Sequence, residues 1–301
     1  MPTPADTNTN NINDDRHLVL GAGAIGSRLA TELARAGSTV CVVTRSGSGP
    51  DHPNIERIAA DVGDRPRLAE LAEGCTTVFN CGNPPYPKWA EQWPPMTDSI
   101  IAACAHSGSR LVTLSNLYGY AADSSPMRAT DELAPPTRKG AIRVATWRAA
   151  LDAHEAGRIT MTEVRASDFI GPGVGANGHV GDRFVPRLLS GKGVSVLGRP
   201  DVEHSWSYVA DVVVTLIAVA RDDRALGRRA ARCPGENGRA VGLHPPVGAR
   251  RRGAARQRRH RSGGAPGAVE LARRWLPRRS AHRGVGRQRC HDGAGQRRLP
   301  T

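Results

Sequence analysis

The stretch Gly21-Ala22-Gly23-Ala24-Ile25-Gly26 follows a short apolar run, His17–Leu20, and opens a segment with helical periodicity. Glycines in this spacing, between a strand and a helix, are typical of a turn that binds a diphosphate. Gly21 allows the tight turn, Gly23 lets a diphosphate approach the backbone, and Gly26 lets the helix pack against the strand. The helix N-terminus offers free N–H groups to the phosphates. The motif therefore predicts a dinucleotide site, with a plain strand-to-helix turn as the alternative.

Beyond this turn, short β-type runs alternate with helical stretches, which predicts a Rossmann-type doubly wound α/β fold with a parallel sheet. The predicted strands are His17–Leu20, Thr39–Thr44, Arg57–Ala60, Thr76–Asn80, Arg110–Ser115 and Thr160–Arg165. The predicted helices are Ile25–Ala36, Arg65–Ala72, Met96–His106, Ala141–His154, Asp182–Leu189 and Val209–Arg221. We expect a disordered N-terminus (1–15), a dinucleotide-binding domain (16–166), a small, incomplete substrate lobe (167–226) and a disordered basic tail (227–301).

The formal net charge of +14 is concentrated at one end of the 301 residues. Residues 1–226 carry a net charge of −3, whereas residues 227–301 contain 20 Arg, no Lys and 3 acidic residues, for a net charge of +17. Arg, Gly and Ala dominate this tail, which has few large apolar residues and no apolar periodicity. Such a composition does not offset the conformational entropy of folding, roughly 1–2 kcal/mol per residue.

Two interpretations of the basic tail remain open. It could bind nucleic acid through phosphates, but it has a single aromatic residue, Trp275, no RGG repeats and no Lys, so platforms for base stacking are missing. Alternatively, the residues from about Arg228 onward are read in the wrong frame of a GC-rich gene, which would enrich Arg, Gly, Ala and Pro. We favour the frameshift and expect a small molecule, rather than nucleic acid, as the partner. The sequence does not indicate an oligomeric state.

Composition also argues against membrane, secreted and metal-binding classes. The longest apolar stretch, Val212–Ala220, is far shorter than the ~20 residues of a membrane-spanning helix. The polar segment Met1–Arg16 lacks the apolar region of a secretory signal. The six cysteines form no CxxC pair and no Cys/His spacing suited to zinc. We therefore expect a cytoplasmic protein with no membrane segment and no metal.

The second predicted strand bears on the choice of cofactor. An NAD site usually has an acidic residue about 20 residues beyond the glycines, to bind the ribose 2′-hydroxyl. Here the strand ends in Thr44-Arg45-Ser46, and Arg45 can hold a 2′-phosphate by charge-assisted hydrogen bonds. NADP is therefore favoured, NAD stays possible, and a solvated surface arginine is the alternative. Asp61, followed by Val62, is placed to contact adenine or to cap a loop, and Cys81 and Asn83 follow the fourth strand near the expected ribose.

Several segments together resemble the extended or atypical short-chain dehydrogenase/reductase superfamily, specifically NAD-dependent epimerase/dehydratase-like proteins. The glycine turn and Asp61-Val62 carry part of this resemblance. The others are Thr113-Leu114-Ser115-Asn116-Leu117-Tyr118-Gly119, Arg165-Ala166-Ser167-Asp168-Phe169-Ile170-Gly171-Pro172-Gly173 and Trp206-Ser207-Tyr208-Val209-Ala210-Asp211-Val212. The resemblance covers roughly residues 16–226. It implies a nicotinamide cofactor and hydride transfer to or from a carbonyl or hydroxyl carbon of a small substrate.

The family's catalytic pair is a Tyr followed four residues later by a Lys, and the best match here is Lys139 followed by Arg143. The resemblance thus implies that the Tyr is absent, with Lys139, Tyr118 or Tyr120 as the candidate acid/base. The family's Ser/Thr helper maps to Ser115, with Thr113 as the other candidate. Alternatively, Lys139 and Arg143 are ordinary helix-face cations, or they bind only the cofactor.

The later segments complete the expected site. Arg165 and Pro172 resemble the stretch that passes the nicotinamide, and His204 and Trp206 would border a substrate pocket or simply pack. Predicted catalytic residues are Lys139, Tyr118 and Ser115. Predicted cofactor-binding residues are Gly21, Gly23, Ala24, Ile25, Gly26, Arg45, Asp61, Val62, Cys81, Asn83, Arg143 and Pro172. The predicted function is an NADP-dependent oxidoreductase or epimerase-like enzyme, with a non-catalytic dinucleotide sensor as the alternative.

Overall fold

A computed structural model of the protein describes residues 15–124, 126–175, 178–195 and 203–222. The expected basic tail, and the N-terminal segment up to residue 14, lie outside the described residues. In chain order the elements are β1 (Arg16–Leu20), α1 (Ala24–Arg35), β2 (Thr39–Thr44), β3 (Ile55–Ala59), α2 (Arg65–Ala72), β4 (Thr77–Asn80), α3 (Trp89–Ser107), β5 (Arg110–Ser115), α4 (Arg138–Glu155), β6 (Thr160–Arg165), β7 (Asp168–Ile170), α5 (Val185–Leu189), β8 (Trp206–Tyr208) and α6 (Val209–Arg221). A single 3₁₀ turn, Tyr86–Lys88, leads into α3.

Six strands form a parallel sheet in the order β3-β2-β1-β4-β5-β6, and β7 and β8 form a separate parallel pair. The sheet order is that of a doubly wound dinucleotide-binding fold, so the predicted Rossmann-type fold is confirmed. Leu20 of β1 lies opposite Val43 of β2 and Asn80 of β4. Farther along the sheet, Ser115 at the end of β5 lies opposite Arg165 at the end of β6. The carboxyl ends of these strands therefore meet at one edge, where such folds bind ligands.

The central strands are buried on both faces, which explains their nearly continuous apolar sequence. Leu18 and Leu20 pack into a core with helices α2, α3 and α4. Val19, between them, packs into a second core with α1 and α6. All three side chains are fully buried, and each such burial stabilises the fold by roughly 1.5–3 kcal/mol. Alternation along one strand thus attaches helices to both faces of the sheet.

Helix α6 belongs to the same core as the glycine turn. Val212 and Leu216 are fully buried, and they share the second core with Leu29 of α1 and Val112 of β5. The end of the described chain therefore covers one face of the parallel sheet. The proposed division into a dinucleotide-binding domain and a substrate lobe at residue 167 stays a prediction.

Helix α3 begins at Trp89, seven residues before the predicted start at Met96. The predicted start was wrong: Pro94 and Pro95, whose local preference is against a helix interior, both lie inside the helix. Trp89 and Trp93, four residues apart, are each only 1% exposed. Their burial on one helical face offsets the two backbone hydrogen bonds that the prolines cannot make.

Other boundaries differ from the predicted ones for local reasons. Helix α4 starts at Arg138 rather than at residue 141, because the Thr137 hydroxyl accepts a hydrogen bond from the Gly140 N–H and caps the helix. Helix α5 covers only Val185–Leu189. Strands β7 and β8 have three residues each, too few for a visible alternation, and were not predicted. None of the helices in the described ranges combines the length and apolar character that crossing a bilayer requires.

The buried histidine of β1 predicts a pH-dependent stability. Burial lowers the pKa of His17 from 6.5 to about 4, and its ring packs edge-on against Phe79. The unfolded chain takes up this proton near pH 6.5, whereas the folded protein does not until about pH 4. The His17 contribution to the free energy of unfolding is therefore present above pH 6.5 and is lost as the pH falls to about 4.

We expect His17→Leu to reduce the decline in unfolding free energy between neutral pH and pH 4 by about 2–3 kcal/mol. Urea unfolding of both proteins across this pH range measures the difference. The exposed His106 serves as control, since His106→Leu should retain the decline of the wild type. Parallel pH profiles for wild type and His17→Leu would contradict the prediction.

Candidate functional site

The glycine turn is closely packed at two of its glycines and open at the third. Gly21 adopts a φ of +93°, and its N–H donates to the carbonyl of Val43 over 2.9 Å. A Cβ on Gly21 would lie 2.9 Å from Cα of Gly82, and one on Gly26 only 2.0 Å from the carbonyl oxygen of Gly21. A Cβ on Gly23 would meet no atom within 4 Å. Open space therefore lies at the N-terminus of α1, where free N–H groups attract anions.

A cavity of about 580 Å³ lies beside this turn, at the carboxyl edge of the sheet. Its volume is in the range of ligand sites. Five of the predicted cofactor-binding residues line it, together with residues from the first turns of α3. The lining residues are Gly21, Val43, Thr44, Arg45, Ala60, Asp61, Val62, Gly63, Asp64, Gly82, Asn83, Pro84, Glu91, Gln92, Pro95 and Met96.

Polar groups at one side of this cavity come from the loops after β2 and β3. Arg45 is exposed and has no ion-pair partner within the described part of the chain. The hydroxyls of Ser46 and Ser48, hydrogen-bonded to each other at 2.9 Å, belong to the same loop. The Asp61 carboxylate accepts a hydrogen bond of 2.8 Å from the Gly63 N–H. Asp61 thus caps its loop and also lines the cavity, so both predicted roles are compatible with its position.

Cys81 lies beneath the glycine turn rather than in the cavity lining. Its N–H donates to the Leu20 carbonyl over 2.9 Å, and its Cβ is 3.3 Å from the position a Cβ on Gly26 would take. Burial raises the pKa of the Cys81 thiol to about 12, so this side chain is a neutral packing group.

Ser115 and Arg143, both predicted site residues, are directly connected. The Arg143 guanidinium Nη2 donates to the Ser115 Oγ at 2.9 Å and stacks 3.9 Å above the Trp93 ring. Arg143 is only 5% exposed. Burial lowers its pKa to about 10, and the Glu163 carboxylate opposes this shift. The guanidinium is still charged at neutral pH. Because Ser115 accepts this hydrogen bond, its own hydroxyl proton is free to be donated elsewhere.

Tyr118 and Lys139 meet through a third residue, Tyr86. The hydroxyls of Tyr118 and Tyr86 are 2.8 Å apart, and the Lys139 Nζ lies 4.2 Å from the centre of the Tyr86 ring. Tyr86 also stacks on Trp89 at 4.7 Å. The pKa of Tyr118 is raised above the ordinary tyrosine range, first by burial and then by its hydrogen bond to Tyr86. Tyr118 therefore keeps its proton at neutral pH.

Two other residues weighed from sequence lie in the interior. Tyr120 is 4% exposed, and its hydroxyl accepts a hydrogen bond of 3.0 Å from Arg165 Nη1. Arg165, itself buried, also donates through Nε to the Glu163 carboxylate at 2.5 Å. Thr113 is buried in β5. Tyr120 is thus tied to a buried ion pair, whereas the partially exposed Tyr118 is the tyrosine that contacts the group around Lys139.

The later segments return to the same edge of the sheet. A Cβ on Gly173 would lie 3.8 Å from Cα of Ala24, so the stretch that contains Pro172 passes close to the start of α1. The His204 Nε2 lies 2.9 Å from the Asp168 Oδ2, and its ring is 4.6 Å from that of Trp206. In the described ranges, no three His, Cys, Asp or Glu side chains are grouped closely enough to hold a metal ion.

Tyr86 and Trp93 are the site residues that the sequence predictions missed. Tyr86 lies three residues after Asn83, which follows the fourth strand and was expected near the ribose. That position was a usable signal for Tyr86. Trp93 gave no such signal, because the predicted α3 began after it.

Comparison with known proteins places this site in a family. The family model described as "NAD dependent epimerase/dehydratase family" matches residues 17–230. None of the curated proteins matches the chain significantly.

Among solved structures, the complex of MoeE5 with UDP-glucose and NAD is 25% identical in sequence, with a TM-score of 0.60, over 71% of this chain and 73% of that chain. UDP-glucuronic acid 4-epimerase from Bacillus cereus, in complex with NAD, has a TM-score of 0.64 at 16% identity, over 76% of this chain and 78% of that chain. UDP-N-acetylglucosamine 4-epimerase from Methanobrevibacter ruminantium M1 has a TM-score of 0.62 at 18% identity, over 70% and 74% of the two chains. The latter two similarities concern the fold alone.

Gly23 and Gly26 should respond differently to replacement by alanine. Gly26→Ala places a methyl group 2.0 Å from the Gly21 carbonyl oxygen, and we expect a loss of at least about 2 kcal/mol in unfolding free energy. Gly23→Ala enters open space at the helix N-cap, and we expect a loss below about 1 kcal/mol. Chemical denaturation measures both variants, and equal losses would contradict this account of the turn.

Proposed function

Because the chain belongs to the NAD-dependent epimerase/dehydratase family, we propose that it binds a nicotinamide dinucleotide at the glycine turn and catalyses oxidation or reduction at a carbonyl or hydroxyl carbon of a small substrate. The observation that carries this proposal is the open space at Gly23, between two glycines that admit no side chain. A diphosphate in this space would face the free N–H groups at the N-terminus of α1. The cavity of about 580 Å³ beside the turn has room for the adenosine half of such a cofactor.

Residues around the cavity and at the start of α1 offer individual groups that suit the cofactor. Asp61 offers a carboxylate to an adenine amino group, and Val62 contributes an apolar surface to the same wall. Ala24 and Ile25 supply backbone N–H groups at the helix start. Asn83 follows β4 at the ribose side. The bound cofactor supplies a nicotinamide carbon that accepts or donates hydride.

Arg45 supports a preference for NADP. Its guanidinium, with no ion-pair partner in the described ranges, sits in one loop with the hydroxyls of Ser46 and Ser48. One fixed positive charge and two hydroxyl groups together suit a ribose 2′-phosphate. The solved structures of MoeE5 and of the Bacillus cereus epimerase contain NAD, which makes NAD the alternative cofactor.

Proton transfer would use the group formed by Tyr118, Tyr86 and Lys139. Tyr118, protonated at neutral pH, can donate to the substrate oxygen as hydride arrives at carbon. Tyr86 would hold the Tyr118 hydroxyl in place, and Lys139 adds positive charge beside the pair. Ser115, fixed by Arg143, can donate a second hydrogen bond to the same substrate oxygen. The first substrates to test are small carbonyl compounds and sugar nucleotides. A sugar nucleotide, UDP-glucose, is present in the MoeE5 complex.

A non-catalytic sensor is the second candidate function. The observation in its favour is Lys139 in the first turn of α4, at the position where the family's resemblance implies a Tyr. Tight binding of a dinucleotide, with no turnover across the substrate panel, would favour the sensor.

The cofactor preference is tested by fluorescence titration with NADPH and NADH. We expect wild type to bind NADPH about tenfold more tightly than NADH. A charge-assisted hydrogen bond stabilises binding by about 1.5–3 kcal/mol, and exposure of Arg45 to solvent weakens this hydrogen bond. Arg45→Ala should remove this preference and leave NADH affinity within about twofold. Arg57→Ala, which removes an arginine paired with Asp51, is the matched control. Equal affinities in wild type would remove the case for NADP.

The proton-transfer group is tested by steady-state turnover and its pH dependence. Tyr118→Phe should lower kcat by about 10²–10⁴-fold. Lys139→Ala should also lower kcat. Because the pKa of Tyr118 is raised, reduction of a carbonyl should be constant across neutral pH, whereas oxidation of an alcohol should accelerate as the pH rises. Tyr86→Phe keeps the stacked ring and should have the smaller effect. Unchanged kcat in Tyr118→Phe would exclude Tyr118 as the acid.

A further inference from the structure

Tyr118 lies in a turn that follows strand β5, outside any helix or strand. The strand ends at Ser115. Within the turn, the Tyr120 N–H donates to the Leu117 carbonyl at 3.2 Å. Such a local hydrogen bond shapes the turn but does not fix it to the sheet. The position of the Tyr118 hydroxyl therefore depends on the contacts that hold the two ends of the segment 115–120.

A different buried arginine holds each end of this segment. Arg143 of α4 donates through Nη2 to the Ser115 Oγ at 2.9 Å. Arg165 of β6 donates through Nη1 to the Tyr120 hydroxyl at 3.0 Å. Both arginines are buried. Because a hydrogen bond from a charged donor is stronger than one between neutral groups, the segment is attached to the protein interior at its first and last residues.

One carboxylate orients the arginine at the far end of the segment. The buried Glu163 side chain accepts a hydrogen bond of 2.5 Å from Nε of Arg165. The same guanidinium lies 5.2 Å from the centre of the Trp147 ring. Since a guanidinium group is planar and rigid, a carboxylate on Nε also fixes the direction of Nη1. Glu163 thus sets the direction from which Arg165 meets the Tyr120 hydroxyl.

Two tyrosines that are two residues apart therefore have opposite environments. Tyr120 is 4% exposed, whereas Tyr118 is 39% exposed. The Tyr120 hydroxyl is bound to Arg165, and the Tyr118 hydroxyl lies 2.8 Å from that of Tyr86. One tyrosine anchors the segment in the interior, and the other presents its hydroxyl at the site.

We propose that Tyr120, held by Arg165 and Glu163, is a positioning residue that keeps the Tyr118 hydroxyl in place beside Tyr86. This inference rests on the proposed function in one respect only, the assignment of proton transfer to Tyr118. The anchoring itself is measurable without any turnover.

The first test observes the tyrosines directly. The chain contains four tyrosines, so protein labelled with ¹³C at the ring carbon that bears the hydroxyl gives four NMR signals, and Tyr118→Phe identifies that of Tyr118. Tyr120→Phe removes one buried oxygen and keeps the ring. In this variant we expect the Tyr118 signal to shift and the pKa of Tyr118 to fall toward the ordinary tyrosine range, because the released turn loses burial and the hydrogen bond to Tyr86.

Ser109→Ala is the matched control for loss of a buried hydroxyl. Ser109 immediately precedes β5, at the opposite end of the strand from the turn, and its hydroxyl donates to the Cys75 carbonyl at 2.7 Å. Its removal should lower the stability of the fold and leave the Tyr118 signal where it is in wild type.

Arg165→Lys removes the same anchor from the donor side, because an ammonium group lacks the fork that reaches Glu163 and Tyr120 together. It should change the Tyr118 signal in the same way, so the test remains decisive if Tyr120→Phe does not fold. A Tyr118 signal with the chemical shift and titration of wild type, in either folded variant, would overturn the proposal.

The second test separates positioning from a merely structural role. Tyr120→Phe should lower kcat at least about tenfold and change NADPH affinity by less than about twofold, since a small displacement of a reacting group is costly. In a Tyr118→Phe background the same substitution should change kcat by less than about twofold, because residues that act through one another are not additive. An equal loss of kcat in both backgrounds would overturn the proposal. Absence of turnover in wild type would contradict the proposed function instead, and the NMR signals would then decide the role of Tyr120.

Discussion

The close approach of helix α1 to the end of strand β1 is the constraint on which the rest of the structure depends. Any Cβ at Gly26 would lie 2.0 Å from the Gly21 carbonyl oxygen, so the helix can begin at Ala24 only if residue 26 has no side chain. With the helix in this position, Leu29 and Leu33 reach the second core and pack near α6. The same approach directs the N-terminus of α1 toward the open space at Gly23. Packing and anion attraction thus share one geometric cause.

A second constraint is electrostatic and lies beneath β5 and β6. Arg143, Arg165 and Glu163 are all buried, and charged groups are rarely buried unless they are paired. Arg165 and Glu163 form a direct ion pair. Among the described residues, Arg143 instead donates to the Ser115 hydroxyl at 2.9 Å and to the Leu114 carbonyl at 3.4 Å. The aromatic face of Trp93 adds a cation–π contact to Arg143. The position of Ser115 in the site therefore depends on a buried guanidinium, which is itself held by the Trp93 ring and by the nearby Glu163 carboxylate.

The sequence predicted the sheet well because parallel strands buried on both faces have strong local signatures. The strands Thr39–Thr44, Arg110–Ser115 and Thr160–Arg165 have the predicted boundaries, and each contains β-branched residues. The start of α3 was hidden by Pro94 and Pro95, whose local preference is overridden by the burial of Trp89 and Trp93. The β7–β8 pair depends on contacts between residues about 38 positions apart, for which a sequence has no local signal. Tyr86 likewise reaches Tyr118 only through the fold.

The position of Tyr118 follows from a contact that no motif predicts. A Cβ on Gly140 would lie 2.2 Å from the Tyr118 carbonyl oxygen, so the first turn of α4 presses directly against the loop after β5. Lys139 precedes this glycine, and its ammonium therefore projects beside the loop and reaches the Tyr86 ring. A helix that carries Lys139 in its first turn can thus still have a phenol nearby, supplied by the loop instead of the helix. Close backbone packing of α4 on the loop after β5 therefore brings the Tyr118 hydroxyl and the Lys139 ammonium to one shared side chain, Tyr86.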